Sequence, residues 1–208
     1  VAAMRSRQWL DRSAYTYGLH GTPTSFTLEE RIATLEGGTH TMLVSSGLAA
    51  LTMVDIALLK SGDEVLLPNN VYGPNKAFTR TELAAWGIGH AVYDAMDAAS
   101  LAAAITPKTK LVWLEAAGSV TLEFPDLRSL IGVVRERAPQ AVIALDNTWG
   151  AGIAFDAFAL GIDVTIHALT KYPSGGGDVL MGAVTCKGGD DGDALYRTLA
   201  LSRSREFE

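Results

Sequence analysis

Two short apolar runs, residues 141–145 (AVIAL) and 164–169 (VTIHAL), constrain the fold of this chain more than any other feature. Each has the length and the aliphatic content of a strand buried on both faces of a parallel sheet. Each is followed by a charged residue that a buried strand has no use for: Asp146 after the first, Lys171 just after the second. In open α/β sheets ligands sit beyond the carboxyl ends of the strands, so an acid and an amine there face one crevice. A lysine held in a desolvated crevice has its charged form disfavoured, which favours the nucleophilic amine. An ionised aspartate nearby can hold a proton on the ring nitrogen of a bound cofactor. A lysine that joins the cofactor through its amine, with an acidic partner for the pyridinium, is the arrangement that serves pyridoxal 5′-phosphate (PLP). Taken alone, the same two residues read more readily as a surface ion pair, since paired charges are often only structural.

The rest of the chain alternates in the same way. Helical patterns are predicted over residues 27–36, 48–59, 76–86, 98–105, 126–137 and 193–202. Strands are predicted over residues 41–44, 64–67, 90–93, 111–115 and 179–186, besides the two central runs. Such alternation predicts an α/β fold with a mostly parallel, seven-stranded sheet and helices on both faces. Helix 27–36 carries Glu29 and Glu30 in its first turn and stops at Gly37-Gly38. Helix 48–59 presents Leu48, Leu51, Val54 and Leu58 as one apolar stripe and opens on Ser45-Ser46-Gly47. That opening leaves backbone N–H groups at the positive end of a helix, where a phosphate binds well, although Ser is also simply a favoured cap. Helix 126–137 turns Leu127, Leu130, Ile131 and Val134 inward and Arg128, Arg135 and Arg137 to solvent. Residues 17–24 and 69–75 are dense in turn formers and read as loops, the second holding Tyr72. A possible helix near residues 4–10 completes an N-terminal arm.

Asp146-Asn147-Thr148-Trp149 and Ala168-Leu169-Thr170-Lys171-Tyr172 resemble the DNTW and TKY motifs of the Cys/Met-metabolism family of PLP-dependent enzymes. The similarity runs from about Tyr15 to about Cys186, with the motifs in the family's order. The resemblance implies a PLP-dependent transferase-like large domain. It assigns Lys171 to the covalent bond with the cofactor, Asp146 to its ring nitrogen and Tyr72 to stacking on its ring. It further assigns the backbone of Gly47 and Leu48 and the hydroxyl of Thr170 to the phosphate. Tyr17 falls in a loop that, in the family, reaches the phosphate of a neighbouring subunit; Leu19 stands where that loop carries an Arg, with His20 beside it. Ala168 likewise replaces a Ser. Each missing charge-assisted hydrogen bond would weaken cofactor binding by about 1.5–3 kcal/mol if nothing replaces it.

Residues 115–123 (EAAGSVTLE) resemble the family's ESPGSITME segment, and the Gly-Ser-hydrophobic-Thr pattern favours members that perform β-elimination over those acting at the γ carbon. The expected activity is therefore carbon–sulfur bond cleavage in cystathionine or a related thioether amino acid, as in methionine biosynthesis. Lys171 and Tyr72 would be the catalytic residues and no metal would be needed. Other reactions on the same scaffold, γ-elimination, γ-replacement or sulfhydrylation, use the same residues. A PLP-binding fragment without activity is a further reading, because the family's small C-terminal domain, with the Arg that clamps the substrate carboxylate, is expected to be absent from this chain. The domain expectation is thus an N-terminal arm and dimer-crossing loop over residues 1–40 and a PLP-binding large domain over residues 41–208, assembled as a homodimer or homotetramer with shared active sites. The initial Val and the final SRSREFE suggest cut ends.

Composition bounds the partners. A net charge of −6 argues against nucleic acid or an anionic membrane surface, and no apolar run approaches the length of a membrane span. Charged residues make up only 19% against 48% hydrophobic, which suits a sheet buried on both faces and sizeable subunit contacts. Cys186 is the only cysteine, so no intrachain disulfide can form, and a cytoplasmic setting is expected. Cys186 reads as a small core hydrophobe. The glycine run 175–177 lacks the strand–GxGxxG–helix context of a nicotinamide-binding site.

Overall fold

The structure is a computed structural model that describes Tyr15 and residues 18–205. In chain order the elements are α1 (Pro23–Glu36), β1 (His40–Val44), α2 (Gly47–Leu58), β2 (Glu64–Pro68), α3 (Gly73–Phe78), β3 (Gly89–Tyr93), α4 (Ala98–Ala104), β4 (Thr109–Glu115), α5 (Leu127–Arg137), β5 (Val142–Asp146), β6 (Val164–His167), β7 (Gly182–Cys186) and α6 (Asp190–Arg205). The seven strands form one sheet in the order β1-β7-β6-β5-β4-β2-β3. All neighbours pair in parallel except β7, which runs antiparallel to both β1 and β6.

Successive strand residues point to opposite faces, and here both faces are apolar. On one side Leu67, Leu111, Trp113, Ile166 and Val184 meet Leu51 and Val54 of α2 and Leu199 of α6. On the other, Leu66, Val112, Leu114, Ile143 and Leu145 meet Leu101 of α4 and Leu130, Ile131 and Val134 of α5. Ile32 of α1 covers Ala183 and Leu169 on that second side. Side chains cap most helix starts: Asp97 accepts from the Ala99 amide at 2.8 Å, and Asp126 from the Ser129 amide at 3.1 Å.

Several boundaries differ from the sequence reading. Helix α1 begins at Pro23, because Thr22 and Ser25 close a reciprocal capping box and Pro is favoured in the first turn. Glu29 therefore lies in the second turn, where it is buried and accepts the Leu43 amide at 2.9 Å, tying α1 to β1. Helix α3 starts at Gly73 and continues through a π-helical segment, Thr79–Leu83. Strand β7 is shorter than residues 179–186, and α6 begins earlier than residue 193. Leu48 is exposed rather than part of the buried stripe of α2. The possible helix near residues 4–10 lies outside the described residues. Cys186 is buried, and burial pushes its thiol up to about 12, in keeping with a core role.

Arg135 is a correction of another kind. Its guanidinium reaches the carbonyls of Ala141 (3.1 Å) and Gly161 (2.7 Å) and the carboxylate of Asp163 (2.7 Å). Asp163 also accepts the Ile143 amide and the Lys187 amine, each at 2.8 Å. This buried acid fixes the entry to β6 relative to α5 and β5, upstream of the turn that carries Lys171.

A second buried acid, Asp55 of α2, accepts the Trp113 indole N–H at 2.8 Å. Burial pushes its carboxyl from 3.8 up to about 7, against the opposing effect of that hydrogen bond. The folded state then keeps a proton that the unfolded chain releases, so this group's contribution to stability falls as pH rises from about 4 to about 7. Asp55→Asn is expected to flatten part of that decline in urea unfolding measured across this window; an unaltered slope would refute the assignment.

Candidate active site

The carboxyl ends of β4, β5 and β6 open into a cavity of about 890 Å³ that faces the start of α2. Gly47, Leu48, Tyr72, Asp146, Thr170 and Lys171 all border it. The structure therefore gathers six of the seven residues that the sequence reading selected; Tyr17 lies outside the described residues.

Asp146 closes β5 and is buried, with its carboxylate accepting the Thr148 amide at 3.1 Å. Burial raises its carboxyl above the ordinary range, while the Thr148 hydrogen bonds and the nearby His167 oppose the shift. An opposite charge placed against it would restore the ionised form. Beneath this strand edge, His167 Nδ1 and Glu36 lie 3.0 Å apart, and Asn147 donates to the same Glu36 at 2.8 Å.

Lys171 follows β6 in a tight turn, its amide donating to the Ala168 carbonyl at 3.0 Å. Its side chain is exposed at the mouth of the cavity in this chain. The strand ends at His167, and residues 168–170 carry the amine outward over the rim. Trp149 and Tyr172 flank it in an edge-on contact at 6.3 Å.

Opposite, α2 begins at Gly47 with Ser46 as its cap, the Ser46 hydroxyl accepting the Ala49 amide at 3.0 Å. The first N–H groups of a helix have no intrahelical partner, and here those of Gly47 and Leu48 belong to residues on the cavity wall. Gly47 is demanded by space: a Cβ there would lie 2.6 Å from the Ala168 Cβ. Ala168 is itself held by its amide, which donates to the Thr148 hydroxyl at 2.9 Å. Tyr72, 41% exposed, stands at the start of α3 on the same cavity.

The sequence reading did not select Glu115. It ends β4 directly beside Asp146 in the sheet register and borders the cavity too. Burial first, and then the charge of Asp146, push its carboxyl up to about 7. The available signal was the one used for Asp146, a carboxylate at the end of a buried strand.

The model of the family described as Cys/Met metabolism PLP-dependent enzyme matches residues 3–201. The chain belongs to this family. It is 38% identical over 170 residues to the cystathionine beta-lyase MetC of Escherichia coli, covering 82% of this chain and 43% of that protein. It is 40% identical over 166 residues to a cystathionine beta-lyase of Salmonella typhimurium, covering 80% and 42%. A mouse cystathionine gamma-lyase is 35% identical over 178 residues, covering 86% and 44%. The crystal structure of metB from Corynebacterium glutamicum superposes with a TM-score of 0.87 at 29% identity, covering 94% of this chain and 49% of that one. This chain thus spans less than half the length of these relatives.

The residues present fit the family's cofactor. A glycine whose Cβ has no room opens a helix start onto the cavity, which suits a phosphate, and a buried acid forms another part of the wall, which suits a ring nitrogen. Gly47→Ala is expected to drive α2 from Ala168 and destabilise the fold by about 1–3 kcal/mol, read by urea unfolding. It should also weaken PLP binding in a fluorescence titration. A variant equal to wild type in both would remove the close-approach argument.

Proposed function

We propose that the full-length protein bearing this chain is a PLP-dependent carbon–sulfur lyase that converts cystathionine, or a related thioether amino acid, to homocysteine, pyruvate and ammonia by α,β-elimination. The observation that carries this reading is that Asp146, Lys171 and the open start of α2 border one cavity. The relatives named cystathionine beta-lyase support the choice of substrate.

Bound PLP supplies an electron sink for the negative charge left when an amino acid loses its Cα proton. Asp146 holds a proton at the ring nitrogen, which keeps that sink effective. Gly47, Leu48 and Thr170 hold the phosphate, and Tyr72 orients the ring. The Nζ of Lys171 would be the group that holds the cofactor, and the same amine would move a proton from the substrate Cα to the departing sulfur. Because Lys171 is exposed in this chain, the proposed chemistry has its amine covered by the remainder of the protein or by a second subunit.

The same proposal carries the domain reading. Residues 1–40 include the arm that brings Tyr17 to the phosphate of a neighbouring subunit, residues 41–208 hold the cofactor, and the substrate carboxylate is clamped by a domain beyond them. The assembly is then a homodimer or homotetramer with shared sites, acting in the cytoplasm in methionine metabolism. Among the described residues no helix is long and apolar enough to cross a membrane. With Leu19 and Ala168 where donors are expected, phosphate anchoring is looser than in the family at large. A γ-lyase or γ-synthase activity is the second reading, favoured by the mouse cystathionine gamma-lyase.

Borohydride reduction of the PLP-loaded protein should fix the cofactor to the peptide containing Lys171; a label on any other lysine refutes the assignment. Pyruvate formed from cystathionine supports β-elimination, 2-oxobutyrate the γ reading. PLP binding without either product would favour a binding role.

A further inference from the structure

Glu115 is nearly fully buried, at 2% exposure, yet it sits beside a second buried carboxylate. Paired residues of neighbouring strands present their side chains to the same face of a sheet, so Glu115 and Asp146 share one wall of the cavity. The arrangement costs electrostatic repulsion as well as desolvation.

The contacts of Glu115 show what it holds. One carboxylate oxygen accepts the backbone N–H of Tyr72 at 2.8 Å. The other accepts the hydroxyl of Ser119. A single side chain therefore ties two loops to the end of β4: the loop that enters α3 and carries Tyr72, and the loop that leaves β4 and carries Ser119. Tyr72 makes no side-chain cap at the start of α3, and it is its own N–H that Glu115 holds there. The two loops are joined a second time where Asn70 donates to Glu123 at 3.2 Å. Gly118 lies flat against Asn70, since a Cβ on it would fall 2.3 Å from the Asn70 amide nitrogen. Both Tyr72 and Ser119 border the cavity that Asp146 and Lys171 border.

We propose that Glu115 is a positioning residue of this site, which sets the ring of Tyr72 over the cavity and docks the Ser119 loop on the wall formed with Asp146. The inference rests on the reading of the cavity as a PLP site and goes beyond it, because it names the group that determines where the stacking ring stands. Glu115 acts through Tyr72 and needs no contact with the cofactor. Burial and the charge of Asp146 both oppose the ionisation of Glu115, so the pair resists carrying two charges at once. Facing this pair are Tyr72 from α3, Ser119 from the loop after β4, His167 and Glu36 behind β5, and Lys171 on the same cavity.

The test compares Glu115→Ala and Glu115→Gln in the full-length protein, alone and combined with Tyr72→Ala. In the protein without cofactor, hydrogen exchange at the Tyr72 amide should speed up in Glu115→Ala and stay slow in Glu115→Gln, whose side-chain carbonyl still accepts that N–H. With PLP, Glu115→Ala should weaken binding by about 10- to 100-fold and alter the visible circular dichroism of the bound cofactor. Glu115→Gln should restore both. In the Tyr72→Ala background the further loss on Glu115→Ala should be small, because the ring it positions is gone. Unchanged Tyr72 exchange in Glu115→Ala, or an equal loss of PLP affinity with and without the Tyr72 ring, would overturn the proposal. A wild-type protein that binds no PLP would sink the cofactor reading, while the exchange comparison would still decide the role of Glu115.

Discussion

The parallel pairing of β4, β5 and β6 is the constraint on which the site depends. In register, Glu115 meets Asp146, and Asp146 meets Ile166 in β6, the strand that leads into the turn to Lys171. A parallel sheet aligns its carboxyl ends, and residues that are far apart in sequence arrive at one edge without any loop having to fold back. The same edge receives the start of α2, whose helix dipole presents partial positive charge to the cavity. The cavity wall is thus divided between a helix start and two carboxylates. A ligand that is anionic at one place and protonated on a ring nitrogen at another matches both.

Much of this was legible in the sequence because burial on two faces writes itself as uninterrupted apolar runs. The strands ending in Asp146 and Glu115, and the inward face of α5, follow from that one rule. Helix starts were less legible. Thr22-Pro23-Thr24-Ser25 is composed of turn formers, and only the hydrogen bonds between Thr22 and Ser25 turn it into a cap. Strand direction was legible only in bulk: alternation with helices gave a mostly parallel sheet, whereas the antiparallel course of β7, which returns directly beside β6, left no mark of its own.

The polar residues of the interior separate into those that carry one signal and those that carry two. Arg135 sits on the outward arc of an amphipathic helix, and nothing in its spacing tells of the carbonyls and the acid it reaches at 2.7–3.1 Å. Asp55 likewise falls among the apolar residues of α2, and its partner Trp113 is on a different element. Asp146 and Lys171 were found because position at a strand end and chemical type pointed to the same place. Glu115 carries the first of these signals as strongly, but its chemistry becomes visible only when the register sets it against Asp146.

Lys171 stands apart from the buried half of the site. Its amine stands exposed among apolar rim residues that are exposed with it: Val120 at 96%, Leu180 at 75% and Tyr172 at 57%. In the proposed enzyme the buried half of the site, with Asp146 and Glu115, is built by the sheet itself, whereas Lys171 stands at a rim open to water. Binding of the cofactor and reactivity of the amine are then separable properties. The first belongs to strand register within this chain, the second to whatever excludes water from its edge.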